Sequence, residues 1–159
     1  MLMLTIVYVR YVISVSERDN IFILMGILKC GETLGNEHVK DFVRSKLGCD
    51  CDEEVFKHIV NEKDALAGGV KLRNKLDIGG RLLVYVVEPD KDAFGKNITA
   101  LLKAGKDERD ARGFNRFRLV LVSDDKDLKK VASDAYKNFQ GLDEKVHFHV
   151  ISKSETESL

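Results

Sequence analysis

The sequence carries no net charge: 26 lysines and arginines are cancelled by 26 aspartates and glutamates over 159 residues. No whole-protein field draws the chain to nucleic acid or to an anionic membrane, so any such partner needs a local patch. Cysteine is scarce as well. Three cysteines, unevenly spaced, do not describe a disulfide scaffold and argue for a reducing, cytoplasmic setting. Long apolar runs are also missing. Leu2 to Val15 and Ile21 to Leu28 are apolar, but Glu17, Arg18 and Asp19 separate them, and neither is long enough to cross a bilayer as a helix. The first run, interrupted by Arg10, lacks the basic start and small-residue cleavage site of a signal peptide. There is no Gly-rich phosphate loop before a helix, no Gly-x-Ser-x-Gly elbow and no His-Glu-x-x-His.

What is present suits one folded domain, with 44% hydrophobic and 33% charged residues. Residues 1–28 form an apolar extension, read either as an extra strand or, preferably, as residues upstream of a start at Met25, because regular patterning begins only after it. Residues 29–151 read as a single α/β domain and 152–159 as a polar tail expected to fray.

Apolar periodicity predicts helices near 37–47, 53–59, 92–105 and 125–140, capped by Asn36, Asp52, Asp92 and Asp124 or Asp125. Gly48 and Gly105 are the expected stops of the first and third. Arg-Leu-Leu-Val-Tyr-Val-Val-Glu at 81–88 is nearly continuously apolar, as in a strand buried on both faces, and Pro89, the only proline, closes it. Further strands are predicted near 115–122 and 146–151. Strand, helix, strand, helix, strand makes two consecutive βαβ units, hence a mostly parallel sheet with helices on its faces. In such sheets ligands meet the carboxyl ends of the strands, here Glu88 to Asp92, Ser123 to Asp125 and Ser152. Between the second helix and the first of these strands, His58 to Glu62 has some strand character, and Gly68-Gly69 and Gly79-Gly80 mark turns around a hairpin arm.

Chemistry is hinted at in one corner. Cys49-Asp50-Cys51 lies between the first two predicted helices, just before Asp52-Glu53-Glu54. The backbone dipoles of a helix N-terminus favour thiolate, and the surrounding carboxylates oppose it. Two thiolates one residue apart can grip zinc or another soft metal ion, but a structural zinc site needs four ligands. His147 and His149, two apart on a strand and so on one face, are the sharpest candidates for the other two, and Cys30, His38 and His58 are further ones. Alternatively Cys49 and Cys51 close a small, readily reduced disulfide that Cys30 resolves, or both are simply small apolar groups packed at a junction. Three cysteines make an iron–sulfur cluster a minor option.

A second candidate is the stretch from Lys106 to Arg118. Arg109, Arg112, Arg116 and Arg118, with Phe114 and Phe117 among them, suit phosphate binding and base stacking, so a protein- or nucleotide-binding module is the alternative function. Asp107, Glu108 and Asp110 neutralise much of that field, which favours a charged loop laced with ion pairs. A protein partner or a homo-oligomer stays open.

Leu47-Gly48-Cys49-x-Cys51-x-x-Glu54-Val55-Phe56, Gly79-Gly80-Arg81-Leu82-Leu83, Glu108-Arg109-Asp110 and Gly113-Phe114-Asn115-Arg116-Phe117-Arg118 resemble segments of a group of small prokaryotic proteins of uncharacterised activity that share the Cys-x-Cys corner. Their corner often reads Cys-Gly-Cys-Pro, where this chain has Asp50 and Asp52. The resemblance implies that residues from Glu37 to Ile151 form one domain, and it implies no activity. Taken together, the sequence reads as an α/β protein in which Cys49 and Cys51 bind a soft metal or take part in thiol redox chemistry.

Overall fold

In the computed structural model, residues 35–89, 94–157 and 159 are described. The apolar extension, Met25, Cys30 and Asp92 lie outside them. The chain folds as an α/β domain on a mixed five-stranded sheet of order β1-β4-β5-β6-β7, where β1 is Ile59–Lys63, β4 Asn74–Ile78, β5 Leu82–Val87, β6 Arg116–Val122 and β7 Val146–Ile151. The last three strands are parallel, as the βαβ pattern predicts, and β1 and β4 extend the sheet antiparallel. A two-stranded arm, β2 (Leu66–Ala67) and β3 (Val70–Lys71), turns at Gly68-Gly69.

Strand periodicity sorts the side chains onto two faces. Leu83, Tyr85 and Val87 of β5 with Phe117, Leu119 and Leu121 of β6 pack against α2 (Phe94–Arg112) and α3 (Lys126–Lys137) through Ile98, Leu101, Leu102 and Ala132. Leu82, Val84, Val86, Val120 and Val122 point the other way, onto Val39, Phe42, Val43 and Leu47 of a helix over 35–45, α1, and its exit. All six residues of β5 are buried, which is why that segment reads as continuously apolar.

Two expected boundaries move. Asn36 is already helical within α1. Gly105 does not stop α2, which runs on to Arg112, so the expected charged loop is two further helical turns. Its charges explain the continuation, since Lys103–Asp107, Lys106–Asp110 and Glu108–Arg112 are ion pairs one turn apart. Gly105 serves close approach instead, because a Cβ there would overlap the Phe117 ring. Nor does the tail fray. Arg73 holds it through the Thr156 hydroxyl (2.9 Å) and carbonyl (2.8 Å), and Thr156 is fully buried. Among the described residues no helix is long and apolar enough to cross a membrane.

Candidate functional site

The thiol corner begins where α1 ends. Gly48 takes the left-handed conformation (φ +64°), its N–H returns to the Arg44 carbonyl at 3.2 Å, and the Cys49 N–H returns to that of Val43 at 3.2 Å. The chain is thereby folded back with Cys49 nearly buried against the sheet and Cys51 half-exposed beyond it. Their Cα atoms lie 5.3 Å apart and their sulfurs are joined as a disulfide.

Two arginines fasten this corner through its carbonyls. Arg44 of α1 donates to the Cys51 carbonyl (3.1 Å) and pairs with Glu53 (2.7 Å), while its guanidinium lies 5.0 Å from the centre of the Phe56 ring. Lys40 and Arg44 together hold the Glu53 carboxyl below the usual range. Arg118 of β6, almost fully buried, donates Nη1 to the Leu47 carbonyl two residues before Cys49. Burial and the charge of Arg116 lower the Arg118 pKa, but a guanidinium remains charged.

After Cys51 the chain makes a 3-10 turn, Glu53–Lys57, in place of the expected helix over 53–59. Asp52 stands at its N-cap position, yet its side chain makes no capping hydrogen bond. So short a turn has little dipole to offer a thiolate, and that part of the expectation falls.

Beside the disulfide opens a cleft of about 170 Å³, lined by Cys49, Asp50, Cys51, Asp52 and Val55 on the corner side and by Arg81, Leu82, Asn115 and Arg116 on the sheet side. Parallel pairing builds the sheet wall. Arg81 precedes β5 and Asn115-Arg116 opens β6, and the Arg81 carbonyl accepts from the N–H groups of Asn115 (2.8 Å) and Arg116 (3.2 Å). The cleft therefore lies at the amino ends of the parallel strands. The carboxyl ends do hold a larger cleft of about 390 Å³, but Glu88, Lys153, Ser123 and Asp125 in its lining are engaged in structural contacts. Glu88 pairs with Lys153 at 2.6 Å, the Ser123 hydroxyl accepts from the Asp125 N–H, and Asp125 caps α3 through the N–H groups of Asp127 and Leu128.

His147 and His149 share a face of β7, as their spacing predicts, and that face is half-buried. They flank Arg118, which pairs in register with His147 and brings Nη1 to 3.5 Å from the His149 Nε2. Burial first, then the Arg118 cation, lowers both imidazoles, His149 to about 4. Neither histidine lines the cysteine cleft, and among the described residues no group of three or more His, Cys, Asp or Glu is placed to hold a metal. His38 and His58 are exposed.

The arginine segment is divided among several tasks. Arg109 grips Asp143 with two hydrogen bonds (2.7 and 2.6 Å) and also reaches Asp110, Arg112 joins Asp77 and Glu108 and lies over the Phe114 ring, and Phe114 is buried. Of this segment, Asn115 and Arg116 line the cleft. Arg81, Asp50 and Asp52 also line it, although the sequence offers Asp52 only as a cap, the two aspartates only as charges opposing thiolate, and Arg81 not as a binding residue. Arg81 becomes findable once β5 and β6 are read as parallel neighbours, because residues just before two such strands fall at one edge of the sheet. Comparisons with family models, with curated proteins and with solved structures found no match for this chain.

Proposed function

We propose that Cys49 and Cys51 form a dithiol–disulfide redox centre. The observation that carries this reading is the joined pair of sulfurs at the wall of a cleft, one nearly buried and the other half-exposed. An attacking thiolate must reach the disulfide along the S–S axis, and of the two cysteines that line the cleft Cys51 is the more exposed and so the better placed for attack. Cys49 is then the leaving sulfur, kept beneath the corner, where it can reattack and close the bond again. In a reducing cytoplasm, which three cysteines and an otherwise uncrosslinked domain suit, such a bond serves as a reversible couple and not as a staple.

Arg44 and Arg118 support the same reading. Both hydrogen-bond to carbonyls of the corner, so its backbone stays in place while the sulfurs open and close. Soft-metal binding by these two thiols has no comparable support, since the histidines that would complete a four-ligand set stand around Arg118. Differential alkylation with mass detection tests the proposal. Protein equilibrated with a mild dithiol should expose both Cys49 and Cys51, and protein returned to an oxidising buffer should protect both together. Two thiols that label independently of the buffer would refute it.

A further inference from the structure

The cleft at the disulfide has walls of opposite charge. Asp50 and Asp52 stand on the corner side, and Arg81 and Arg116 on the sheet side. Among the described residues, none of these four side chains has a hydrogen-bond or ion-pair partner, whereas Arg44, Arg73, Arg109, Arg112 and Arg118 are all engaged. Asp52 is not even used as a cap. Four charges around one opening that do not close onto each other leave a gap that a dipolar ligand can bridge.

We propose that the thiol partner of this disulfide is a small zwitterionic one, an amino-acid thiol whose carboxylate meets Arg81 and Arg116 while its ammonium meets Asp50 and Asp52. The inference rests on the redox reading above. Size agrees with it, because 170 Å³ is well below the roughly 300–1,000 Å³ of pockets for drug-sized ligands. So does placement: both wall arginines start from backbone tied together at the Arg81 carbonyl. Binding by both ends orients the ligand sulfur toward Cys51. The thiolate then attacks Cys51 Sγ, the Cys49–Cys51 bond breaks, and Cys49 leaves as a thiolate that takes up a proton. A second molecule of the same thiol attacks the ligand sulfur of the mixed disulfide and releases Cys51. The protein gains two electrons, and two thiols become one small disulfide.

Four probes separate the charges: L-cysteine, cysteamine without the carboxylate, 3-mercaptopropionate without the ammonium, and 2-mercaptoethanol with neither. Reduction of the full chain is followed by acid quench, alkylation and mass detection, and each rate is expressed per thiolate and corrected for thiol basicity. L-cysteine should exceed 2-mercaptoethanol by up to about ten-fold, as expected of several exposed charge contacts acting together, and the advantage should shrink in high salt. The variant Arg81→Gln/Arg116→Gln should bring L-cysteine down to cysteamine, and Asp50→Asn/Asp52→Asn should bring it down to 3-mercaptopropionate. Equal corrected rates for all four thiols, or a ratio of L-cysteine to 2-mercaptoethanol unchanged in both variants, would overturn the assignment and leave the redox centre standing. Failure of every thiol to reduce the folded chain, under conditions that reduce it when unfolded, would overturn the redox reading itself.

Discussion

Acid should loosen this fold through one histidine before it reaches any carboxylate. His149 is half-buried on β7, with Arg118 Nη1 3.5 Å from its Nε2 and His147 on the same face. Burial, then Arg118, then His147 lower its pKa from 6.5 to about 4. The folded pKa is thus below the unfolded one, so the unfolded chain takes the proton first. The contribution is complete above about pH 7 and is lost as the pH falls from 6.5 towards 4, with little further loss from this group below that. At about 1.4 kcal/mol per pKa unit the upper bound is about 3.5 kcal/mol, and partial exposure of the ring reduces it to about 2 kcal/mol. His147, also lowered, adds in the same direction. Urea unfolding between pH 8 and 4 reads the effect directly. The wild-type chain should lose about 2 kcal/mol or more across this interval, and His149→Gln, which cannot take the proton, should lose markedly less. Parallel curves for the two proteins would refute the reasoning.

Three further changes test the packing that carries the site. Gly105→Ala puts a methyl group into the Phe117 ring and should cost about 1–3 kcal/mol by chemical denaturation; an unchanged midpoint would mean that α2 does not approach β6 this closely. Arg109→Met removes the two-pronged contact with Asp143 and leaves a partly exposed carboxylate, whereas Asp143→Asn leaves the buried Arg109 cation with Asp110 alone and should be the costlier change, about 3 kcal/mol; a double-mutant cycle should show coupling, and additive losses would contradict it. Thr156→Ala should cost about 1–2 kcal/mol by freeing the tail from Arg73, checked by the melting temperature and by hydrogen exchange at residues 152–157.

The central strands were legible because burial on both faces leaves a plain signature. Leu82 to Val87 and Phe117 to Val122 are apolar at every position or nearly so, except for Arg118. Gly48 marks the end of α1 because the left-handed turn that starts the corner favours glycine. The reach of α2 was hidden for an opposite reason. Gly105 reads locally as a stop and Lys106 to Arg112 as a solvated loop, and only the neighbouring Phe117 shows why a glycine is needed inside a helix. Of the two antiparallel strands, β1 was faint because it is exposed along most of its length and keeps no clear alternation, whereas β4 does alternate between buried and half-buried positions. In the site, the two cysteines announced themselves by spacing. Arg81 and Arg116 did not, because an exposed arginine looks the same in sequence whether or not it has a partner, and their proximity depends on parallel pairing of strands 34 positions apart in register, as Leu82 with Arg116. His147 and His149 did fall on one face, but that face belongs to Arg118 and not to the cysteines.

The most direct test is a redox titration of Cys49 and Cys51 in thiol–disulfide buffers, read by alkylation and mass detection of the folded chain. The redox proposal predicts one two-electron transition in which both thiols appear together, abolished in Cys49→Ser and in Cys51→Ser, while the fold persists. Thiols that stay free across every buffer, or that react only after the protein is unfolded, would show that the corner is packing and would contradict it.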